Sequence, residues 1–503
     1  MSNFTNSKII KMNPSTNINT ETNSLNIDEL SLEQKVAYDK FILGHNIFVS
    51  GPGGTGKTKL INYFVHHANQ TYKKIQVCAM TGCAANLLKH CNARTMHSWS
   101  GIKLAKGPNE EIINSVMKNF KCVNNWKKIK CLIIDEVSML SLKTLNLLNE
   151  LAKKIRYSDK PFGGIQVVFT GDFHQLPPIG NSNDPDSNLF CFQSLLWKII
   201  FNEDNHIILK TIFRQKDPTY INILQQIRKG KIDEGNIEIL KQYVNRKKND
   251  DITITKLFSL RTKVDYINST MYSKINELEY TYKIIIDTNY VDCYSKHNNL
   301  KSTAVLNQKM VDYEINSLIT NTSSKQTLSL KIGSIVMCTV NLDLNNGICN
   351  GSQGTIVGFM NNDSHYPIVR FYNGIVKTLS PYYWVSDNYP NIAIGQIPLI
   401  LAWAITIHKI QGATLKAAEI DIGKTIFESG QTYVALSRIE SLDGLYLSNF
   451  DPNKIKTNES VNNFYDNIPI HEYKDYEFSF CSKELNFEKY KYDDTNNIKK
   501  IFI

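Results

Sequence analysis

The 503-residue sequence predicts an α/β protein: two domains on parallel sheets, the second interrupted by a small β-barrel insertion. Three observations carry this. Between residues 28 and 208, short apolar runs alternate with helical periodicity, as strand–helix–strand units require. A second series of such runs occupies residues 209–455. Within it, near residues 331–395, the pattern changes to β-prone pieces separated by Asn-Gly pairs, which mark hairpins. At about 100–200 residues per domain, this length fits two large domains carrying insertions.

In chain order, residues 1–27 are rich in Asn, Ser and Thr and read as a disordered leader. A helical pattern begins at Leu30, and Asn46-Ile47-Phe48-Val49 reads as a buried strand. In the next segment Leu60 pairs with Phe64 and Ile61 with Val65, four apart, the spacing of one helix face. Strand-like runs follow at residues 75–79, 131–134 and 165–170, with a helix pattern at Leu142, Leu145, Leu148, Leu151 and Ile155. In the second region residues 220–228 are helix-like, and residues 256–259 and 399–404 strand-like. Asn345-Asn346-Gly347, Asn350-Gly351 and Tyr372-Asn373-Gly374 are the hairpin turns expected in the insertion. Residues 456–503 are rich in Tyr, Lys and Asp and carry no assignable role.

Composition narrows the class. Apolar residues make up 42% and charged residues 21%, which excludes a disordered tail or a coiled coil. The apolar run from Ile397 to Ile407 is too short to span a membrane, contains Pro398, and has no secretion signal to accompany it at the N-terminus. Ten cysteines with no Cys-x-x-Cys spacing exclude a disulfide scaffold and argue against a zinc ribbon. The expectation is a soluble intracellular protein without a membrane partner. The charge of +10 suits a polyanionic partner and equally a plain soluble surface.

Gly51-Pro52-Gly53-Gly54-Thr55-Gly56-Lys57-Thr58 fits the phosphate-loop pattern G-x-x-x-x-G-K-[ST], after a predicted strand and before a predicted helix. Its glycines let backbone N–H groups close around phosphate oxygens at a helix N-terminus. Lys57 is placed to reach the β- and γ-phosphates, and the Thr58 hydroxyl to bind Mg²⁺. The apolar run Cys131-Leu132-Ile133-Ile134 delivers Asp135 and Glu136 to a strand's C-terminal end, where open α/β sheets bind ligands. Asp135 is the candidate Mg²⁺ ligand, and Glu136 the group that polarises an attacking water. Two adjacent carboxylates can also merely cap a strand. A third polar element, Thr170-Gly171-Asp172-Phe173-His174-Gln175, follows another apolar strand and ends in the stiff pair Pro177-Pro178.

Asp135-Glu136-Val137-Ser138-Met139-Leu140, Pro161-Phe162-Gly163-Gly164-Ile165-Gln166 and Gly171 through Pro178 occur in this order. Together they resemble the motifs of the petite-integration-frequency (PIF-type) branch of the superfamily 1B DNA helicases, relatives of the RecD-type enzymes. Motif pieces run from about Leu30 to Phe450. The resemblance implies two RecA-like domains, with a wedge insertion near residues 98–128 and an insertion of the Src-homology-3 type in the second domain. It implies that Gln34 reads adenine, that Gln175 senses the γ-phosphate, and that Arg214 and Arg438 are arginine fingers from the second domain. It also implies strand-binding roles for Thr81 and His97 in the first domain, and for Thr406, His408, Lys409 and Gln411 in the second. Aromatic groups such as Trp403 would stack on bases, and Thr81, His97 and Trp403 could each equally be buried packing.

The sequence departs from the family at three named places. Ile410 stands where Ser is usual, Asn125 precedes Trp126 where Arg is common, and Tyr220 replaces Phe. None of these is expected to touch the phosphate machinery, so they bear on strand grip or step coupling and leave hydrolysis intact. Five lysines between residues 118 and 130 read equally as part of the wedge or as a solvated face. The function implied is that of an ATP- and Mg²⁺-dependent helicase acting as a monomer on single-stranded and forked duplex DNA, with 5′→3′ polarity. It would work wherever the DNA is: nucleus, cytoplasm or a viral replication site. Two other classes stay open: an NTPase that acts on RNA or remodels protein–DNA complexes without unwinding, and a non-catalytic nucleic-acid-binding protein.

Overall fold

The computed structural model describes residues 26–479 except 104, 182, 248–253, 291–306, 322–324, 344–345, 387–388, 390, 470 and 474–475. Nearly all of the expected leader, the position Asn345 and the end of the C-terminal extension therefore lie outside the described residues.

The first sheet is built from β1 (Ile47–Ser50), β2 (Ile75–Ala79), β3 (Arg94–Thr95), β4 (Cys131–Asp135), β5 (Gln166–Gly171) and β6 (His206–Ile208). Their order is β3-β2-β4-β5-β1-β6, and every pairing is parallel. Strands β1, β4 and β5 are buried throughout, as expected of a parallel sheet covered on both faces. Helices Leu32–Ile42 and Lys57–Gln70 pack on one face through Phe41, Phe64 and Leu60. Helix Leu142–Arg156 packs on the other, burying Leu145, Leu148, Leu151 and Ile155. The first of these helices starts at Leu32 rather than Leu30, because Ser31 and Gln34 form a capping box that fixes the start. In the region read as a wedge, Trp99 and Trp126 are buried against each other with centroids 4.6 Å apart. Its lysines 118, 121, 127, 128 and 130 lie on the exposed side.

A second parallel sheet has the order Ala404–Thr406, Thr255–Phe258, Ala418–Ile422, Leu445–Phe450. Antiparallel strands make up the insertion. Five of them run in the order Val376–Thr378, Pro367–Phe371, Gln353–Phe359, Ile335–Cys338, Leu399–Leu401. They enclose a core that includes Val336, Ile356, Val369, Phe371 and Leu399. Two strands earlier in the chain pair antiparallel in two smaller sheets, Tyr280–Lys283 with Thr327–Leu330 and Ile285–Asp287 with Ala393–Gln396. At the turn Tyr372-Asn373-Gly374, Gly374 takes φ +88°, the left-handed geometry a tight hairpin requires.

The run 399–404, expected to be one strand, is divided between two sheets. Leu399–Leu401 pairs with Ile335–Cys338 in the insertion, and Ala404–Thr406 pairs with Thr255–Phe258 in the parallel sheet. Both sheets bury their strands, so one continuous apolar run satisfies both and carries no mark of the crossing. Among the described residues no helix is long and apolar enough to cross a membrane.

Candidate nucleotide and nucleic-acid site

All four loops that carry polar motifs in the first domain leave the same edge of the sheet. Ser50 is in register with Gly171 and Ala79 with Asp135, so the loops after β1, β2, β4 and β5 emerge side by side. The loop after β1 runs into the 14-residue helix Lys57–Gln70, so its amides and the helix dipole present positive potential at one point. Gly54 has φ +88°, and a Cβ there would lie 2.6 Å from the Cβ of Arg214. Only glycine lets the loop come this close to the second domain, where Phe213 N–H donates to the Gly54 carbonyl at 2.9 Å.

The Lys57 ammonium donates to the carbonyls of Gly51 (2.7 Å) and Pro52 (3.0 Å). Burial lowers its pKa, and the carboxylates of Asp172, Glu136 and Asp135 oppose that shift. Asp135 Oδ1 accepts from Thr170 Oγ1 at 2.6 Å and from Glu136 N–H at 2.9 Å. Burial nevertheless raises the Asp135 pKa. Thr58 is exposed at the first turn of the helix. A threonine hydroxyl and a carboxylate are the hard oxygen donors Mg²⁺ takes, and a cation would restore the charge that burial disfavours in Asp135. The residues present therefore fit the ion.

Glu136 sits in left-handed backbone geometry (φ 56°, ψ 45°) at the end of β4. Burial, then the adjacent Asp135, pushes its pKa up to about 7. Its Oε2 accepts from Gln411 Nε2 at 3.1 Å. That bond joins the water-polarising candidate to the nucleic-acid candidate loop of the second domain.

Arg214 and Arg438 face the phosphate loop from the other side. A Cβ on Gly53 would lie 3.3 Å from Arg438 Nη2 and 3.5 Å from Arg214 Nη1. Arg438 donates from Nε to the Val434 carbonyl at 3.0 Å and from Nη2 to Ser437 Oγ at 2.8 Å, and Arg214 donates from Nη1 to the Ser437 carbonyl at 2.9 Å. Burial, then the neighbouring Arg438, pushes the Arg214 pKa down to about 9, and burial lowers that of Arg438. Two guanidinium groups held together beside an anion-binding loop favour a polyanion between them. Tyr220, the family departure on helix Pro218–Arg228, reaches this group: its hydroxyl donates to the Leu436 carbonyl at 2.8 Å, two residues before Arg438. Contrary to the expectation that no departure touches the phosphate machinery, this one supports the segment that carries Arg438, because the extra hydroxyl reaches its backbone.

Gln175 is buried, and its Oε1 has no hydrogen-bond partner among the described residues. The loop that carries it is held by Asp172, which accepts a forked pair from Arg228 (2.8 Å from Nη2, 3.0 Å from Nε). Burial alone would raise the Asp172 pKa, but Arg228 holds it well below the usual carboxylate range. Gln34 is also buried. Its Nε2 donates to the Thr55 carbonyl and its Oε1 accepts from Ser31 N–H, both at 3.0 Å. One end of this amide braces the phosphate loop and the other caps its own helix.

The nucleic-acid candidates form a second group. Thr81 caps helix Gly82–Leu87 by accepting from Ala84 N–H at 3.1 Å. Thr406 Oγ1 accepts from Lys409 N–H at 3.4 Å, His408 is half-buried and Lys409 is exposed. A Cβ on Gly412 would lie 2.7 Å from Leu87 Cδ1, so the two motif loops abut across the domain boundary. His97 is half-buried on the short helix Met96–Ser100, and burial lowers its pKa. Trp403 and Ile410 are both buried in the apolar core of the second domain. The isoleucine at 410 thus adds to packing where a serine would offer a hydroxyl.

Several residues around the cleft lie outside the sequence-based set. Tyr433 accepts from Gly53 N–H at 2.9 Å, Arg228 holds Asp172, and Tyr465 hydrogen-bonds Ser50 Oγ at 2.6 Å. Asp172 stands inside the polar 170–175 element read from the sequence, and Tyr433 lies five residues before Arg438. Arg228 and Tyr465 carry no local signal.

The PIF1-like helicase family matches residues 29–238, and the 2B domain of the DNA helicase Pif1 matches residues 315–359. The ATP-dependent DNA helicase PIF1 of Danio rerio is 33% identical over 440 residues, covering 87% of this chain and 64% of the relative. The chain thus spans less than two thirds of that relative's length. The uncharacterized protein 030L of Invertebrate iridescent virus 6 is 32% identical over 92% of this chain and 98% of its own. The crystal structure of Pif1 helicase from Candida albicans superposes with a TM-score of 0.70 at 32% identity, covering 88% of this chain and 99% of that one.

Proposed function

This chain is a member of the PIF1-like helicase family, and from that premise we propose that it is an ATP-driven motor that moves along single-stranded DNA and unwinds duplex DNA. The observation that carries the reading is the approach of Arg214 and Arg438 to Gly53 of the phosphate loop. A nucleotide in this cleft has cationic groups on both sides, and its terminal phosphate is the anion they share. Hydrolysis and release of that phosphate remove the charge that holds the domains together, so the cleft relaxes. One chain supplies both walls, which supports a monomer as the working unit.

In this reading Lys57 and the loop amides bind the phosphates, Gln175 reports the terminal one, and Gln34, which also braces the loop at Thr55, reads the adenine. Glu136 accepts the proton of the attacking water. Thr58 and Asp135 would hold Mg²⁺, which supplies charge neutralisation on the phosphates when bound. Thr81, His97, Thr406, His408, Lys409 and Gln411 grip the strand. Strand polarity of 5′→3′ and action on forked DNA, in whatever compartment holds that DNA, complete the proposal.

Two measurements test it. Lys57→Ala is expected to abolish ATP turnover while single-stranded DNA binding persists, and unchanged turnover would sink the mechanism. Strand displacement on 5′- and 3′-overhang substrates, each with DNA and RNA versions, is expected only from the 5′ DNA overhang. Displacement on the RNA fork alone, or ATP turnover with no displacement on any substrate, would favour an RNA-directed or remodelling NTPase instead.

The Gln411–Glu136 bond supports coupling between strand and hydrolysis, since a strand that takes up the polar groups of the 406–411 loop disturbs it. Gln411→Ala is therefore expected to lower the ratio of DNA-stimulated to basal ATPase about tenfold or more, the effect of one lost hydrogen bond to a carboxylate. Equal ratios in the two proteins would show that Glu136 does not sense the strand by this route.

A further inference from the structure

The chain does not end its work at the last strand of the second sheet. After Leu445–Phe450 it runs along the second domain, where Thr432 Oγ1 donates to the Lys454 carbonyl at 2.9 Å and Gly430 N–H donates to the Lys456 carbonyl at 3.1 Å. It then crosses to the first domain as helix Glu459–Asp466. Phe464 enters the aromatic cluster beneath the first sheet, 4.3 Å from Phe192, 5.4 Å from Phe173 and 5.7 Å from Trp197, centroid to centroid. Val461 is fully buried in the same core.

The neighbouring Tyr465 meets three parts of the nucleotide cleft at once. Its phenolic oxygen accepts from Phe173 N–H at 3.1 Å, inside the loop that leads to Gln175. Its own proton is then available to Ser50 Oγ at 2.6 Å, one residue before the phosphate loop. Its ring stacks on His174 with centroids 4.8 Å apart and planes 14° apart, while the Arg228 guanidinium lies 5.1 Å from the ring centre and forks onto Asp172. Asn462, one turn earlier, hydrogen-bonds His174 Nε2 at 3.0 Å. Burial keeps the phenol protonated by raising its pKa.

We propose that Tyr465 is a positioning residue for hydrolysis: it fixes the Asp172–Gln175 loop against the phosphate loop, making the C-terminal helix a working part of the ATP site. The proposal rests on the ATPase reading above. β1 and β5 already align Ser50 with Gly171, but the loops beyond them share no backbone ladder. One hydroxyl spans that gap. The helix is anchored in the first domain and tethered to the second, so it keeps the setting of the sensor loop while the domains open and close.

The test uses the full chain. Tyr465→Phe keeps the ring and its stacking and removes only the bridge. Its kcat for DNA-stimulated ATP hydrolysis is expected to fall about five- to tenfold with KM for ATP within about twofold. Ser50→Ala removes the other end of the bridge, and the double variant is expected to be no slower than the slower single one. A residue with only a folding role would lower the amount of active protein and leave kcat per folded molecule unchanged. An active wild type with unchanged kcat in Tyr465→Phe, or with the two substitutions acting independently, overturns this proposal alone. A wild type that turns over no ATP overturns the functional reading and this one with it.

Discussion

Replacing Arg438 by Ala is expected to lower kcat for ATP by about 10³-fold or more, the range in which an arginine supplied across a cleft acts in phosphoryl transfer. Arg438 is 2% exposed, and at Gly53 its Nη2 comes slightly nearer (3.3 Å) than Arg214 Nη1 does (3.5 Å). Its guanidinium is aimed by the Val434 carbonyl and the Ser437 hydroxyl, and helix Gln431–Leu436, which leads to it, is pinned by Tyr220. Such preorganisation is what makes a charge effective in a transition state. Arg438→Lys is expected to recover little, because a lysine ammonium cannot keep both the Nε bond to Val434 and the Nη2 bond to Ser437. The removal takes one donor from the Ser437 hydroxyl and one from the Val434 carbonyl, which keeps its bond from Ser437 Oγ, so thermal stability and single-stranded DNA binding need measuring beside turnover. A folded Arg438→Ala protein within tenfold of wild-type kcat would place the transition-state charge elsewhere.

The parts of the site that could be read from the sequence are those whose residues are consecutive. The phosphate loop, the Asp135-Glu136 pair and the 170–178 loop each follow an apolar strand, and chemistry at a strand's C-terminal end is legible from a window of ten residues. The same holds for the parallel sheets and the Asn373-Gly374 hairpin, which follow from periodicity and turn chemistry. Contacts that close the cleft have no such window. Asp172–Arg228, Gly53–Tyr433 and Ser50–Tyr465 join residues 56, 380 and 415 positions apart. An arginine at the end of a helix and a tyrosine in a polar tail look like surface residues until tertiary packing buries them. Apolar positions fail in the opposite way. Trp403 as a base-stacking group and Trp403 as core are the same letter in the sequence, and only packing against Ile405, Ile407 and their neighbours assigns it to the core. Gln34 is legible as a residue of the nucleotide site, whereas its bracing bond to Thr55 depends on how helix Leu32–Ile42 is docked.

Glu136→Gln is expected to lower kcat by about 10²–10⁴-fold, the usual contribution of a positioned general base. Glutamine keeps an oxygen for the Gln411 amide, so the loop contact survives while the basic group is lost. The pH dependence gives an independent reading. Burial and Asp135 hold the Glu136 pKa at about 7, and only its ionised form accepts a proton from water. In the wild type kcat/KM for ATP, which reports groups of the free enzyme, should therefore rise with pH through a midpoint near 7, and in Glu136→Gln this limb should vanish. Stability runs the other way. The folded pKa lies above the ordinary value of 4.5, so the folded chain binds more protons than the unfolded one between those values, and Glu136 costs stability as pH rises through that window. Glu136→Gln should then melt with the wild type below the window and at a higher temperature above it. A variant that is both slower and more stable at alkaline pH is the signature of a charge held in the cleft for chemistry at the expense of the fold. Loss of turnover with an unchanged pH profile would assign the base to another group.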